Sequence, residues 1–418
     1  MPAETANTLA ARIAILIRDR NYVHLWVAMF LSSVGSGLLL MSLSLVVLDR
    51  SGSVLTASLV FVMPWIGALL LMPVLSRLTR LFSPIGLLIL ADLAAAAAAM
   101  ATGFAFEFAL PLAFLFLLPR AMADSTGRVS RFRALKRLIA PAKLEVGSSL
   151  FNTCTYLGAG SGLLLAPLLT SLPMPLIAGI DAGTFLLSAA IYANVRRHHA
   201  ARAKPQRRED APAPERTSWN AITAAIREHR LIPLLVVAGL ATGTSQTFLT
   251  VGREVIPLRV FDLGAPGVQL FLAAALCGLV CGPLFVSRYL QAGAWLPQRP
   301  SMWLTAAAAA GVLSATIGTA LAALAMFAVL AFLFETTYTL IQNRLVVRVP
   351  EDQVAHVILT RNVVQLTALA CAVPAFGAAV DRWGFLASGL VLMGTTLAVG
   401  AILDGSLMLS SVRHERES

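Results

Sequence analysis

Arg120, Asp124 and Arg128 stand at four-residue spacing in AFLFLLPRAMADSTGRVSRFR, residues 113–133, directly after an apolar run. On a helix that spacing puts the three charges on one face. A charge near the middle of a bilayer costs between ~3 and 17 kcal/mol, depending on the method. Such a stripe therefore needs a partner or a use. In one reading Arg120 and Asp124 form an intrahelical ion pair that neutralises itself and packs. In the other the pair switches: when a substrate or another carboxylate takes Arg120, Asp124 is released to take up a proton. Arg128 reads as a charge at the cytoplasmic edge.

Glu335 offers the same chemistry in the second half of the chain. It lies in the apolar stretch AFLFE with no basic neighbour on its own helix. A buried carboxylate without a cation can bind and release a proton, which coupling to a proton gradient requires. It can equally be a structural Glu hydrogen-bonded to Tyr338 or Thr339. Arg361 is either its partner across helices or a side chain that snorkels to the cytoplasmic side. Asn152, Asn362 and Gln246 are placed to bind a substrate or to tie helices together, as Tyr338 is. Asp181 and Asp92 are expected to serve helix packing or hydrogen bonding.

These residues sit in a chain built for lipid. Of its 418 residues 58% are hydrophobic and 13% charged, and the mean hydropathy is +0.79. A soluble domain carries about 25% charged residues. Apolar runs near the ~20 residues that cross a bilayer cover roughly 22–47, 54–78, 84–104, 109–130, 145–171, 174–194, 231–252, 266–287, 302–321, 323–345, 354–380 and 385–406. The expected architecture is all-α and integral to the membrane, with twelve transmembrane helices in two pseudo-symmetric six-helix bundles. The bundles are 1–194 and 231–418, and 195–230 is a basic cytoplasmic linker. Within it Ser218, Trp219, Ile222 and Ile226 suggest an interfacial helix. The first residues carry Arg12, Arg18, Asp19 and Arg20 without a short apolar core and cleavage site, so no cleaved signal peptide is expected.

The net charge of +11 is a topology signal. With the N-terminus in the cytoplasm, all but six of the 32 Lys and Arg fall on that side. Arg50, Arg253, Arg259 and Arg382 fall outside, and Arg120 and Arg361 lie within spans. That asymmetry orients the chain with both termini cytoplasmic and argues against nucleic acid as a partner. Cys154, Cys277, Cys281 and Cys371 all lie in apolar runs and read as buried free thiols.

The halves resemble each other. Pro141 and Pro350 each follow a basic helix end and open another span, with Asn152 and Asn362 at similar distances beyond. Polar residues concentrate in every third span: Ser32, Ser33 and Ser36 in the first, Arg120 and Asp124 in the fourth, ATGTSQTFLT in the seventh and FETTYTLIQ in the tenth. Polar groups in a bilayer face a protein interior or a watered cavity. Those four spans should line one.

Enzyme readings find little support. Lys136, Lys143 and Lys204 do not follow a Gly, so there is no phosphate-binding loop. No intact G-x-S-x-G occurs, and the six histidines lack metal spacing. No cofactor and no metal are expected. The glycines of YLGAGSG, Gly158, Gly160 and Gly162, have no preceding strand and read as close helix packing.

At this point the chain resembles the major facilitator superfamily, in particular its branch of drug, macrolide and siderophore exporters. LDRSGSVLTASLVFVMPWIGALLLMPVL, AGIDAGTFLLSA and the two Pro-anchored span entries carry the likeness. The family motif G-x-L-A-D-R-x-G-R-R is degenerate, with Ser76 and Arg77 in MPVLSRLTRLFSPIG and Ser287 and Arg288 in GPLFVSRYL. The branch's acid after the Gly of the first span is replaced by Ser36 after Gly35. The resemblance implies a bacterial inner-membrane transporter working by alternating access. It would export a siderophore or drug in exchange for protons, with Arg120 in the position of the family's span-4 Arg implicated in proton transfer; Asp124 and Glu335 are expected, from their placement as buried charges, to carry the protons. Arg120, Gln246, Asn152, Tyr338, Arg361 and Asn362 would contact the small-molecule substrate. Protons and the lipid bilayer are the other partners, and a monomer is expected. Movement of lysophospholipids, or a receptor that does not transport, are the alternatives.

Overall fold

A hydrocarbon environment leaves every backbone N–H and C=O to be satisfied within the protein, so an apolar chain of this composition must be helical there. The computed structural model describes residues 19–138, 154–200, 231–291, 300–348 and 351–417, and all their long elements are helices. Eight stretches of these helices are long and apolar enough to cross a membrane.

The first compact unit comprises Met1–Val46 and Met63–Arg207. Its helices are α1 (Arg20–Ser51), α2 (Val54–Leu81), α3 (Pro84–Phe108), α4 (Leu110–Leu138), α5 (Cys154–Leu168) and α6 (Met174–Ala200). Local chemistry sets several starts. The Asp19 carboxylate accepts the N–H groups of Asn21 (3.1 Å) and Tyr22 (3.4 Å) at the head of α1. Ser83 caps α3 through Gly86 N–H at 3.2 Å, with Pro84 as the first helical residue. Pro119 lies inside α4, directly before Arg120, and removes one intrahelical hydrogen bond. α6 runs past residue 194, the expected end, because nothing breaks it before Ala200.

Helix α5 meets α1 through glycines. A Cβ on Gly158 would stand 2.8 Å from the Phe30 carbonyl oxygen, and one on Gly162 would collide with the Val34 carbonyl oxygen. YLGAGSG is a packing surface.

The second unit comprises Val47–Val62 and Arg208–Ser418. It contains α7 (Ile232–Val255), α8 (Gly264–Gln291), α9 (Pro300–Thr316), α10 (Ala320–Arg348) and α11 (Glu351–Glu417), together with the end of α1 and the start of α2. α7 continues beyond its expected end at residue 252 as a π-helical turn, Ile256–Val260, which opens next to Pro257. α11 is broken at Gly384 (φ 79°, ψ 165°), a conformation that favours Gly.

Corresponding helices build the two cores. Tyr22, Leu25, Leu88, Leu135, Cys154 and Tyr192 cluster in the first unit, from α1, α3, α4, α5 and α6. Leu231, Leu234, Leu304, Ile341 and Val357 cluster in the second, at α7, α9, α10 and α11. α1 and α7 are the most enclosed spans, with 72% and 83% of their apolar windows buried against 22–56% for the other six. Cys154 is buried as expected, but Cys277, Cys281 and Cys371 are exposed on helix surfaces, which corrects the expectation of four buried thiols. An apolar run marks a helix that meets lipid as readily as one that meets the core. Asn152, the interfacial helix expected around Ser218, and the side chains of Ser76, Arg77, Ser287 and Arg288 lie outside the described residues.

Candidate functional site

In the first unit the site is organised by α4. Its Arg120 is 2% exposed and does not pair with Asp124. Its Nε and Nη2 both donate to Oδ2 of Asp181 on α6, at 2.9 and 2.7 Å. The guanidinium also lies 5.5 Å from the centroid of the Phe185 ring, one turn further along α6. Among the described residues Asp181 Oδ1 has no hydrogen-bond partner. It points at Gly35 of α1, where a Cβ would come within 2.7 Å of it. The glycine that precedes Ser36 is what lets the α6 carboxylate come so close to α1.

This corrects the intrahelical pairing expected from the spacing. Asp124 faces Arg128 instead, at 3.5 Å, in a pair whose side chains are 18% and 46% exposed. A buried cation takes the partner that leaves no charge facing lipid. A carboxylate from a neighbouring helix approaches Arg120 head-on, whereas one on the same helix must bend back along it.

A second buried pair lies further along α4. Arg131 is 1% exposed. Its Nη2 is 3.7 Å from Asp92 Oδ1 on α3 and donates to Ser32 Oγ of α1 at 2.9 Å. Sequence reasoning placed Arg131 among the cytoplasmic charges. The signal was available: Arg131 is eleven residues after Arg120, three turns of helix, and so shares its face. The stripe on α4 is 120–124–131, and Arg128 is its exposed edge. Asp92, expected to be structural, is buried and lies beside Arg131.

The second unit presents a polar group at α7, α10 and α11. Arg361 is 3% exposed, so it does not snorkel to the surface. Its Nε donates to Gln365 Oε1 at 3.0 Å, its Nη2 donates to the Tyr338 hydroxyl, and the guanidinium lies 4.5 Å from the Tyr338 ring centroid. Gln365 Nε2 donates in turn to Thr242 Oγ1 on α7 at 2.9 Å. Gln365 was not singled out in the sequence. It stands one turn after Arg361, where a side chain can reach back to it.

Glu335 is one turn before Tyr338 on α10, on the same face, and Arg361 is its electrostatic neighbour. Its Cβ packs where a side chain on Gly282 of α8 would be, 2.9 Å away. Among the described residues Glu335 makes no ion pair within 4.0 Å. Gln246 is half-buried one turn after Thr242 on α7, and Asn362 is half-buried beside Arg361 but on a different face of α11. The structure thus brings Glu335, Tyr338 and Arg361 together and leaves Asn362 apart.

Arg253, expected in an outer loop, is enclosed at the end of α7, 12% exposed, with its guanidinium 3.9 Å from the centroid of Phe61. Among the described residues no group of three or more His, Cys, Asp or Glu could hold a metal.

Among solved structures, a transporter of the POT family in complex with a thioalcohol-conjugated peptide aligns with a TM-score of 0.70 and 13% identity, over 94% of this chain and 96% of that one. A bacterial homologue of the human lysosomal transporter Spinster, inward-facing and occupied, aligns at 0.67 and 13%, over 94% and 97%. The nucleoside transporter NupG aligns at 0.65 and 11%, over 92% and 99%. At such identities the likeness shows the fold. No curated protein matches the sequence. The sequence model of the Major Facilitator Superfamily matches residues 25–368, most of the chain. The chain therefore belongs to that superfamily: it is a multi-pass membrane transporter and not an enzyme.

Proposed function

We propose that this transporter exports a small amphipathic molecule, a siderophore or a drug, across the bacterial inner membrane in exchange for protons. It has twelve spans in two six-helix bundles, works by alternating access, and keeps both termini in the cytoplasm. The observation that carries the coupling is the grouping of Glu335 with Arg361 and Tyr338. A half-buried carboxylate stands beside a desolvated guanidinium whose Nε and Nη2 donate to neutral groups, Gln365 and Tyr338. A proton on Glu335 frees Arg361 to meet an anionic group of the substrate. Loss of that proton draws Arg361 back.

In the first unit Asp181 takes the place first given to Asp124 as the carboxylate that Arg120 holds. Arg120 then offers its charge to a substrate only when Asp181 is neutral. Asp124, beside Arg128 at the exposed edge, serves as an entry point for the proton. Gln246 and Tyr338 supply neutral polar contacts, and Asn152 and Asn362 serve as further substrate contacts.

The test is Glu335→Gln in proteoliposomes with an imposed pH gradient, following ethidium and a ferric siderophore as probes. The variant should fold normally and lose gradient-driven uphill flux while keeping downhill exchange. Full gradient-driven flux in that variant overturns the assignment.

A further inference from the structure

Buried polar atoms in a folded protein are almost always hydrogen-bonded, to protein or to ordered water. The interior of the first unit holds a set that protein does not satisfy. Arg131 Nη2 and Asp92 Oδ1 stand 3.7 Å apart, an ion pair too long for a direct hydrogen bond. Arg131 Nε and Asp92 Oδ2 have no hydrogen-bond partner among the described residues. Neither do the hydroxyls of Ser188 and Tyr192 on α6, which stand beside the pair. All four side chains are at most 2% exposed.

The helix periods leave room at this place. Arg120, Asp124, Gly127 and Arg131 share one face of α4, as Asp181, Ser188 and Tyr192 share one face of α6. The two helices run the same way: Arg120 pairs with Asp181, and Arg131 neighbours Tyr192, eleven residues further along each. Between those two levels α4 presents Gly127 and α6 presents Ser188, both small. A Cβ on Gly127 would have the Arg131 guanidinium at 3.6 Å and Asp92 Oδ1 at 3.9 Å as its nearest neighbours. The missing side chain therefore opens a gap at the edge of the ion pair. Asp124, 18% exposed, stands one turn away on the same face.

The chemistry of the set selects what fills it. It offers a cationic donor, an anionic acceptor and two hydroxyls that can do either, and its formal charges cancel. A metal ion would meet the Arg131 charge, and an anion would meet the Asp92 charge. A small neutral molecule that both donates and accepts meets neither obstacle, and water is that molecule.

We infer that Asp92, Arg131, Ser188 and Tyr192 hold bound water inside the first unit, that this water reaches Asp124 past Gly127, and that Asp92 is thereby a proton-carrying residue of the transport cycle. The inference rests on the proton-coupled reading above and extends it to a carboxylate outside the residues named there. A proton leaving Asp124 passes to the water, which gives one of its own to Asp92 Oδ2, so the water is unchanged. The Arg131 charge is then answered by the ionised Asp124, its other electrostatic neighbour on α4. The charged and titratable groups facing Asp92 are Arg131 and Asp124 from α4 and Tyr192 from α6. On the far side of Arg131 stand Ser32 of α1 and Cys154 of α5, whose thiol donates to the Trp26 carbonyl at 3.3 Å.

Infrared difference spectra of the full chain in lipid, recorded as pH is lowered, test this without substrate. The parent should gain a protonated-carboxyl band that shifts promptly on transfer to D2O and that Asp92→Asn removes. Gly127→Ala is the second variant. Its methyl fits beside the ion pair but takes the place of water, and Ala favours the helix over Gly. That variant should melt no lower than the parent, exchange the Asp92 band slowly, and lose gradient-driven ethidium flux in proteoliposomes. A purely structural Asp92 predicts unchanged flux. A pH-dependent spectrum from which Asp92→Asn removes nothing overturns the inference. Should Asp92→Asn fail to fold, a Gly127→Ala protein with the parent's exchange and flux overturns it equally. Glu335→Gln should keep the Asp92 band while losing uphill flux. Full flux in that variant counts against the coupling role of Glu335, whereas a missing Asp92 band counts against the hydrated relay, so the two failures are read separately.

Discussion

Arg120 and Asp181, 61 residues apart in sequence, meet with two guanidinium N–H groups on a single carboxylate oxygen, and neither side chain is more than 2% exposed. Removing one member of such a buried pair strands the other, at a cost of ~3–5 kcal/mol. Asp181→Asn and Arg120→Gln should each lower the melting temperature of the detergent-purified protein sharply. The apolar double variant Arg120→Met/Asp181→Leu should recover much of the stability and none of the gradient-driven transport. If the double variant transported normally, the pair would be structural only.

The Asp124–Arg128 pair should behave differently. It is partly exposed and spans one turn of a single helix. Exposed pairs of this kind contribute about 0–1 kcal/mol. Asp124→Asn should therefore leave the melting temperature close to that of the parent. A loss as large as that of Asp181→Asn would mean that Asp124 shares the Arg120 charge after all.

Tyr338 and Gln365 are the two neutral groups that occupy Arg361. Tyr338→Phe keeps the ring beneath the guanidinium and removes only the hydroxyl. A lost hydrogen bond to a charged group costs ~1.5–3 kcal/mol. The expected result is a protein that folds with reduced stability and in which flux depends on the pH gradient differently from the parent. Gln365→Leu removes both the acceptor of Arg361 Nε and the donor to Thr242, whose hydroxyl keeps the Ala238 carbonyl, and should be the more damaging of the two. Equal and negligible effects on both stability and flux would remove Arg361 from the site.

Gly162→Leu should be among the most harmful single changes in the chain. Even a Cβ at that position collides with the Val34 carbonyl oxygen, which is backbone and cannot swing aside. Overpacking of a close contact costs ~1–3 kcal/mol or more. The variant should express poorly or elute as aggregate in size-exclusion chromatography. By contrast Gly183→Leu, at a glycine with open space around it, should be tolerated.

The helices were legible from composition because lipid permits little else: a long apolar run must satisfy its own backbone, and the helix is the local way to do so. Ten of the expected spans begin within three residues of an observed helix, from Val54 in α2 to Gly264 in α8 and Ala320 in α10. The charged stripe on α4, the isolated Glu335 and the glycines of α5 could also be read, since each is a property of one helix and its period. Three things could not. Arg253 was placed outside the spans because the seventh apolar run ends at residue 252, whereas the helix runs on to Val255 and continues as a π turn. Arg131 was counted as cytoplasmic because basic residues at a helix end usually are, whereas Asp92 and Ser32 enclose it. Asp381 gave no signal at all, since its partners, the backbone N–H groups of Val54 and Leu55, the Ser53 hydroxyl and Arg259, are all far from it in sequence. Sequence by itself determined where helices run and which of them carry charge in lipid, because those are local properties governed by the solvent. Tertiary structure alone decided which carboxylate answers which arginine. In a medium without water a charge pairs with whatever opposite group reaches it with the best geometry, and for Arg120 and Arg131 that group comes from another helix.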